Sequence, residues 1–223
     1  MNSGNKVLTI VWKDVLTELR TKHLLGAIFV FVLLLIVIFS FGFDLRVDNV
    51  ATVAPGMLWV TFAFAGTLEL NRSFSAEIAE ARLDSLLLAP MERSTIYFGK
   101  MLGNLIFISA IEALVLPIFS AVLNLNLIRP VLLLTIFLGA IGFAAVGTLL
   151  SAIAVNTRAC EVMLPVLLFP IVLPVVVSAV KLTAGILDGL PWASLTHWLR
   201  LLIGFDVIFV VLSYMTFDYV VES

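Results

Sequence analysis

Apolar residues occur along this chain in six long runs separated by short polar segments. The runs cover residues 24–43, 50–68, 101–123, 131–155, 162–180 and 198–217. A helix needs about 20 predominantly apolar residues to cross a bilayer. The runs are continuously apolar and lack the period-two alternation of β-barrel strands. The pattern therefore predicts an all-α membrane protein with six transmembrane helices, spans 1 to 6.

Composition supports this class. The 223 residues are 62% hydrophobic and only 13% charged, whereas a soluble domain has about 25% charged residues. Because the six spans take up more than half of the chain, we expect one transmembrane domain over residues 1–223 and no separate soluble domain. The single cysteine, Cys160, excludes an internal disulfide.

Positive residues indicate the orientation of the chain. If the N-terminus lies inside the cell, the inner segments hold Lys6, Lys13, Arg20, Lys22, Arg72, Arg82, Arg93, Lys100 and Arg158. The outer segments then hold only Arg46, Arg129, Lys181 and Arg200. Since loops rich in Lys and Arg stay on the cytoplasmic side, both termini are predicted to be cytoplasmic.

Two segments outside the spans have helical or membrane-associated patterns. In residues 6–22, apolar side chains recur on one face and basic ones on another, with Trp12 among the apolar residues; this is typical of a helix lying in the membrane surface. Residues 181–197 are too short to span and are interrupted by Gly185, Gly189 and Pro191. We expect them to form a re-entrant or interfacial element on the outer face, between spans 5 and 6.

The longest charged interval lies between spans 2 and 3, in residues 70–98. Read as a helix, it places Glu77, Glu80 and Asp84 on one face and apolar residues on the other, and Pro90 ends it. A short acidic amphipathic helix on the cytoplasmic side is suited to contact with another protein. The alternative is a solvated surface helix without a partner.

Several spans carry residues that favour close packing or chemistry. Span 4 has Ala140, Ala144, Thr148 and Ala152 at i+4 spacing, which predicts a tightly packed helix. Span 5 has Pro165, Pro170 and Pro174, which predict a bent or partly unwound helix. Glu112 in span 3 and Asp206 in span 6 are ionisable residues at membrane depth, and Glu112 should face the protein interior. Glu112 is either a proton or substrate site or a protonated or hydrogen-bonded structural residue.

Motifs for catalysis or ATP binding do not occur in the sequence. It contains no GxxxxGK[ST], HExxH or GxSxG and no cluster of residues spaced for a metal. We therefore expect a chain that is not an enzyme, has no catalytic residue or metal site, and has no ATPase site of its own. The charge pattern gives no support for nucleic-acid binding.

The acidic segment matches a known motif, E-x-x-x-G-[ST]-L-E-x-L-L-x-x-P. In this sequence the motif reads Glu77, Ala81, Arg82, Leu83, Asp84, Leu86, Leu87 and Pro90, so the segment resembles the coupling helix of type-2 ATP-binding-cassette permeases. Further residues match a more specific pattern: Ala54-Pro55-Gly56, Trp59-Val60, Glu69, Arg72, Phe74, Leu-Leu-Leu-Ala-Pro at 86–90, Gly99-Lys100 and the prolines of span 5. With these residues, the whole chain resembles the cytochrome c maturation protein B (haem exporter protein B) family. Ala81-Arg82 and Asp84 depart from the motif.

The resemblance implies a permease subunit in a bacterial inner membrane that works with a separate cytoplasmic ATPase in cytochrome c maturation. It implies three further partners: a second copy of the chain, a haem-handling membrane protein and a periplasmic haem chaperone. ATP would bind only to the ATPase subunit, and haem would be a handled substrate instead of a bound cofactor. The output would be haem delivery or release of the haem-loaded chaperone.

Candidate site residues follow from the motif and from the outer face. Those for ATPase coupling are Phe74, Glu77, Glu80, Leu83, Asp84, Leu86, Leu87 and Pro90. Those for a haem contact on the outer face are Trp192, His197 and Trp198. Two alternatives remain: a type-2 permease that exports a drug, lipid or polysaccharide, and a proton-coupled secondary transporter that uses Glu112 and Asp206.

Overall fold

The fold, taken from a computed structural model, consists of long helices. The structure describes residues 7–13, 22–44, 50–79, 93–154 and 160–222. Its helices are α1 (7–13), α2 (Lys22–Asp44), α3 (Val50–Ala79), α4 (Arg93–Val122), α5 (Pro130–Ala154), α6 (Cys160–Leu187) and α7 (Trp192–Glu222). No strand occurs in these ranges. The predicted all-α fold class is confirmed.

Five of the helices are long and apolar enough to cross a membrane. Their apolar parts are Val50–Ser73, Thr95–Val122, Pro130–Ala154, Val162–Leu187 and Trp192–Phe217. In α2 the apolar stretch found among the described residues is shorter, Phe29–Gly42. Large apolar side chains remain exposed on the outside of the bundle, for example Val166 and Met215, as expected where lipid is the solvent. The chain is therefore a multi-pass membrane protein.

The helices alternate in direction, so the bundle has two ends. We call the end where α3 finishes at Ala79 and α4 begins at Arg93 the coupling end, and the other the opposite end. Since α5 and α7 both run toward the coupling end while α6 runs away from it, α5 and α7 are parallel to each other. A hydrogen bond between Asn104 of α4 and Thr148 of α5 joins the two helices in their coupling-end halves.

Helix α5 is the centre of the bundle and packs against α3, α4, α6 and α7. The four residues of the small-residue stripe, Ala140, Ala144, Thr148 and Ala152, are all buried, which confirms the tightly packed helix predicted for span 4.

Glycines of α5 allow especially close contacts. The Trp59 ring packs where a Cβ on Gly139 would lie, and the Leu70 side chain does the same at Gly147. The absence of a side chain at these positions brings α3 against the backbone of α5.

Helix α1 matches the described part of the predicted interfacial helix. Leu8 and Trp12 are 66% and 65% exposed, consistent with a side that faces lipid. Ile10, which was not part of the predicted apolar face, is buried and packs against Gly99 of α4. The short helix is thus fixed to the coupling end of the bundle by one face. Residues 14–21 lie outside the described ranges.

The predicted re-entrant element at 181–197 is not confirmed. Helix α6 continues to Leu187 and α7 begins at Trp192, so only a tight turn separates them. Gly189 has φ +68°, and the Leu190 and Gly189 amides donate to the carbonyl oxygens of Gly185 (2.9 Å) and Ile186 (3.3 Å). This is the Schellman arrangement that ends a helix at a left-handed glycine. The glycines and proline mark one helix end instead of a separate element.

Two further expectations differ from the structure in extent. Span 5 was predicted to be bent or partly unwound; helix α6 is continuous across Pro165, Pro170 and Pro174, so the second alternative, partial unwinding, does not occur. The segment predicted as a unit over 70–98 is divided: its first residues continue α3 to Ala79 and its last belong to α4 from Arg93. Residues 80–92 lie outside the described ranges.

Because the Trp59 ring occupies the space where a Cβ would lie on Gly139, we expect Gly139→Ala to destabilise the bundle. The ring has to shift, which also strains its hydrogen bond to Thr183. Overpacking of this kind costs about 1–3 kcal/mol. Thermal unfolding of the purified protein in detergent measures the loss as a lower midpoint. Gly26→Ala is the matched control, since nothing lies within 4 Å of its added methyl. Equal midpoints for the two variants would contradict the packing described here.

Candidate functional site

The predicted coupling residues lie at or beyond the end of α3. The apolar run 50–68 ends within α3, and the helix continues to Ala79 and carries Phe74 and Glu77 on its last turns. The other candidates lie outside the described residues: Glu80, Leu83, Asp84, Leu86, Leu87 and Pro90. Their contacts with an ATPase stay a prediction.

Just inside the coupling end, α3 carries a buried ion pair. Arg72 donates to both carboxylate oxygens of Glu69, from Nη2 to Oε1 at 2.6 Å and from Nε to Oε2 at 3.2 Å. Glu69 is fully buried and the Arg72 side chain is 11% exposed. A two-point contact fixes the planar guanidinium relative to the carboxylate. Burial makes removal of one partner costly, because the other charge then stays buried without it.

A second buried charge lies on α4 near the same end. Lys100 is 4% exposed and lies one turn nearer the coupling end than Asn104. The Asn104 amide donates to Thr148 Oγ1 at 2.9 Å, and the Tyr97 hydroxyl donates to the Ala145 carbonyl at 3.3 Å. Polar contacts between α4 and α5 therefore concentrate at the coupling-end halves of both helices.

Glu69 entered the sequence analysis only as part of the family resemblance, and Arg72 and Lys100 entered it also as positive residues of the inner segments. The signal that identifies them is their position: Glu69 and Lys100 directly flank apolar runs, and Arg72 lies within one turn of Glu69. From one sequence their burial is not visible, because charges at the ends of spans are equally compatible with exposure in the headgroup region.

Asp206 is the more isolated of the two membrane carboxylates. It is 5% exposed, and neither of its carboxylate oxygens has a hydrogen-bond partner among the described residues. Oδ1 lies where a Cβ on Gly142 of α5 would be, next to Val175 of α6. The carboxylate thus lies where α5, α6 and α7 meet. Gly142 provides the space for it.

Glu112 has a different environment. It is 5% exposed and lines a cavity of about 150 Å³ between α4 and α5, together with Ser109, Leu133, Ile136 and Phe137. Leu133 and Phe137 are 42% and 47% exposed, so the cavity opens toward the outside of the bundle. Glu112 was expected to face the protein interior, and its side chain is buried, although the cavity beside it opens outward. Glu112 and Asp206 contact different turns of α5, and the structure does not bring them into one site.

The three outer-face candidates lie at the start of α7, at the opposite end. His197 is exposed and its ring makes an edge contact with Trp198, with centroids 5.4 Å apart. Trp192 is 54% exposed and occupies the first residue of the helix. Five residues of α-helix turn the chain by about 500°, so Trp192 and His197 project in different directions. The pair His197–Trp198 is therefore the part of this candidate contact that the structure brings together.

Trp59 makes a polar contact that the sequence does not reveal. Its indole Nε1 donates to Thr183 Oγ1 at 3.0 Å, deep between α3 and α6. An indole N–H needs a partner when it is buried, but a single sequence does not pair residues so distant along the chain. No group of His, Cys, Asp and Glu able to hold a metal ion occurs among the described residues.

Comparison with known proteins gives a consistent result. A family model described as CcmB protein matches residues 5–222. Heme exporter protein B of Pseudomonas aeruginosa is 26% identical over 171 residues, which cover 76% of this chain and 77% of that protein. Heme exporter protein B of Rhodobacter capsulatus is 25% identical over 181 residues, covering 80% and 82%. The protein of the same name from Paracoccus denitrificans is 25% identical over 166 residues, covering 74% and 76%.

We expect Asp206→Leu to raise the stability of the protein, because it replaces two buried oxygens that have no partner in the described part of the chain with carbons in similar positions. A buried polar group without a partner costs about 1–3 kcal/mol. The measurement is the thermal midpoint in detergent, with Ser213→Ala as a control for loss of a smaller buried polar group on the same helix. A lower midpoint for Asp206→Leu would mean that the carboxylate stabilises the junction of the three helices.

Proposed function

Because the chain belongs to the CcmB protein family, we propose that it is the membrane permease subunit of an ATP-binding-cassette complex in cytochrome c maturation. The observation that carries this proposal is the family match over nearly the whole chain, residues 5–222. Relatives that cover three quarters of the chain carry the name Heme exporter protein B. ATP hydrolysis takes place on a separate cytoplasmic subunit.

The proposed topology has six spans, with α2 as the first. Its 23 residues are long enough to cross the hydrocarbon core. Both termini lie in the cytoplasm, because this orientation places most Lys and Arg residues inside. The coupling end then faces the cytoplasm and the opposite end faces the periplasm, in the inner membrane of a bacterium.

In this orientation, residues 73–90, the coupling segment, form the contact with the ATPase. They lie between the apolar runs 50–68 and 101–123. Apolar burial comes from Leu83, Leu86 and Leu87, and charge pairing from Glu77, Glu80 and Asp84. Since α3 and α4 continue directly from the spans into this segment, a displacement of the segment by the ATPase is passed along two stiff helices into the bundle.

On the periplasmic side, we propose that the start of α7 faces the haem-handling proteins. Exposed His197, with Trp198 beside it, offers an imidazole nitrogen and an aromatic edge. Because His197 lies at the bundle surface, a chaperone or membrane partner can reach it. This position supports release of the haem-loaded chaperone as the output, in preference to passage of haem through the bundle.

The complex contains a second copy of the chain.

Two other functions compete with the permease function in cytochrome c maturation. A type-2 permease for a drug, lipid or polysaccharide would use the same coupling segment and differ only in its substrate. A proton-coupled secondary transporter is favoured by one observation, the burial of Glu112 and Asp206 within the spans. It would work without an ATPase.

We expect reversal of charge at Glu77 and Asp84 together (Glu77→Lys with Asp84→Lys) to separate ATP hydrolysis from cytochrome c maturation while membrane insertion stays intact. Loss of a charge pair at a protein interface costs about 2–5 kcal/mol. The measurements are co-purification of the ATPase and haem-maturation proteins with the tagged chain, ATPase activity, and the yield of haem-containing cytochrome c. Asp188→Lys, in the exposed turn before α7, is the control for charge reversal at the other end. Normal maturation in the double variant would refute the coupling contact.

Glu112→Gln distinguishes the permease from the secondary transporter. The glutamine keeps the shape of the side chain but removes its ability to carry a charge. The permease proposal predicts that cytochrome c yield and its dependence on ATP persist, since Glu112 lies beside a cavity between α4 and α5, away from the coupling segment. If this variant loses all activity while it still assembles with its partners, a proton or ion site at Glu112 is the better explanation.

A further inference from the structure

Two helices leave the membrane to form the coupling segment, and each carries buried charge inside its end. Glu69 lies ten residues before the end of α3 at Ala79, and Lys100 lies seven residues after the start of α4 at Arg93. At 1.5 Å per residue these positions are about 15 Å and 10 Å inside the helix ends. Both are buried, Glu69 completely and Lys100 to 4% exposure.

Contacts with α5 place these charges at one level of the bundle. Leu70, next to Glu69, packs against Gly147 of α5. Asn104, one turn from Lys100, donates to Thr148, which is the neighbour of Gly147. Arg72 is three residues nearer the coupling end than Glu69, and Lys100 is four residues nearer it than Asn104. The guanidinium and the ammonium group therefore lie at a similar depth on adjacent helices.

The surroundings make this level of the bundle stiff. Glu69 is held at two points by Arg72, and charges in a low-dielectric interior interact more strongly than charges in water. Gly99, the neighbour of Lys100, is covered by Ile10 of α1. Leu70 and Asn104 bind the two helices to α5 from either side. A movement of α3 or α4 at this level has to move the other elements with it.

We propose that Glu69, Arg72 and Lys100 form a buried ionic joint that ties α3 to α4 just below the coupling segment and passes its displacement to α5. The inference rests on the proposed function, because it presumes that an ATPase displaces the segment. The three residues are positioning residues. Without the joint, the ends of α3 and α4 move independently of each other, and the displacement is lost before it reaches the middle of the membrane.

The test uses the assembled complex, purified through a tag on this chain. Glu69→Gln and Lys100→Met each remove one charge and keep the length of the side chain. We expect the ATPase subunit to co-purify and to hydrolyse ATP, while the yield of haem-containing cytochrome c per ATP hydrolysed falls about tenfold, within the usual range of coupling between sites. Glu112→Gln is the matched control: the same substitution as at Glu69, also at a buried residue, on α4 but away from the joint.

A charge exchange separates a joint between helices from a pair within α3. If Glu69 and Lys100 act together, Glu69→Lys with Lys100→Glu recovers more of the yield per ATP than either single change, which a double-mutant cycle measures. A role that is only structural predicts instead that the single variants lose the ATPase subunit or fail to insert.

The outcomes separate this inference from the proposal on which it rests. Full yield per ATP in both Glu69→Gln and Lys100→Met, or strictly additive effects in the cycle, overturns the joint and leaves the permease proposal standing. If Glu69→Gln fails to assemble with its partners, the yield per ATP of Lys100→Met and of the exchange variant (Glu69→Lys with Lys100→Glu) tests the joint instead. If no ATPase co-purifies with the wild-type chain, the proposed function itself is overturned.

Discussion

The architecture depends on how closely helices can approach α5. Lipid is as apolar as leucine, so there is little hydrophobic drive for helices to associate inside a membrane, and contact area between close backbones has to replace it. Helix α5 supplies that area with alanines and glycines. Trp59 and Leu70 of α3 and Asp206 of α7 all occupy space that a side chain on Gly139, Gly147 or Gly142 would fill. One helix of small residues thus sets the positions of its neighbours.

Hydrogen bonds between side chains fix what close packing alone leaves adjustable. Asn104 bonds to Thr148, and Trp59 bonds to Thr183. Van der Waals contact between smooth helices tolerates sliding, whereas a bond between two particular side chains defines one register. The first of these bonds lies toward the coupling end and the second in the other half of the bundle. The middle, where Asp206 lies without a partner among the described residues, is held by packing.

The sequence predicts the elements well because their physical cause is local. Each apolar run is long enough to require a helix, and the helices appear where the runs do. What it predicts poorly depends on contacts between distant residues. The segment 181–197 contains helix breakers, but only the Leu190–Gly185 and Gly189–Ile186 hydrogen bonds reveal that they form a single helix end. The prolines of α6 suggested unwinding, yet a helix in a membrane keeps its backbone bonds wherever it can, because no water replaces them.

The same distinction applies to the candidate site. Acidic residues of the coupling segment are visible in the sequence, since a charged interval between apolar runs is a local feature. The buried charges that flank that interval, Glu69 and Lys100, cannot be recognised as buried from the sequence. Glu69 and Lys100 are far apart in sequence and look like ordinary span ends, and only the contacts of Leu70 and Asn104 with neighbouring residues of α5 bring them to one depth. Glu112 is buried, as its charge at membrane depth suggested, but only the structure shows that a cavity between α4 and α5 opens beside it. A charge in a span is therefore informative about function only once the helix face that carries it is known.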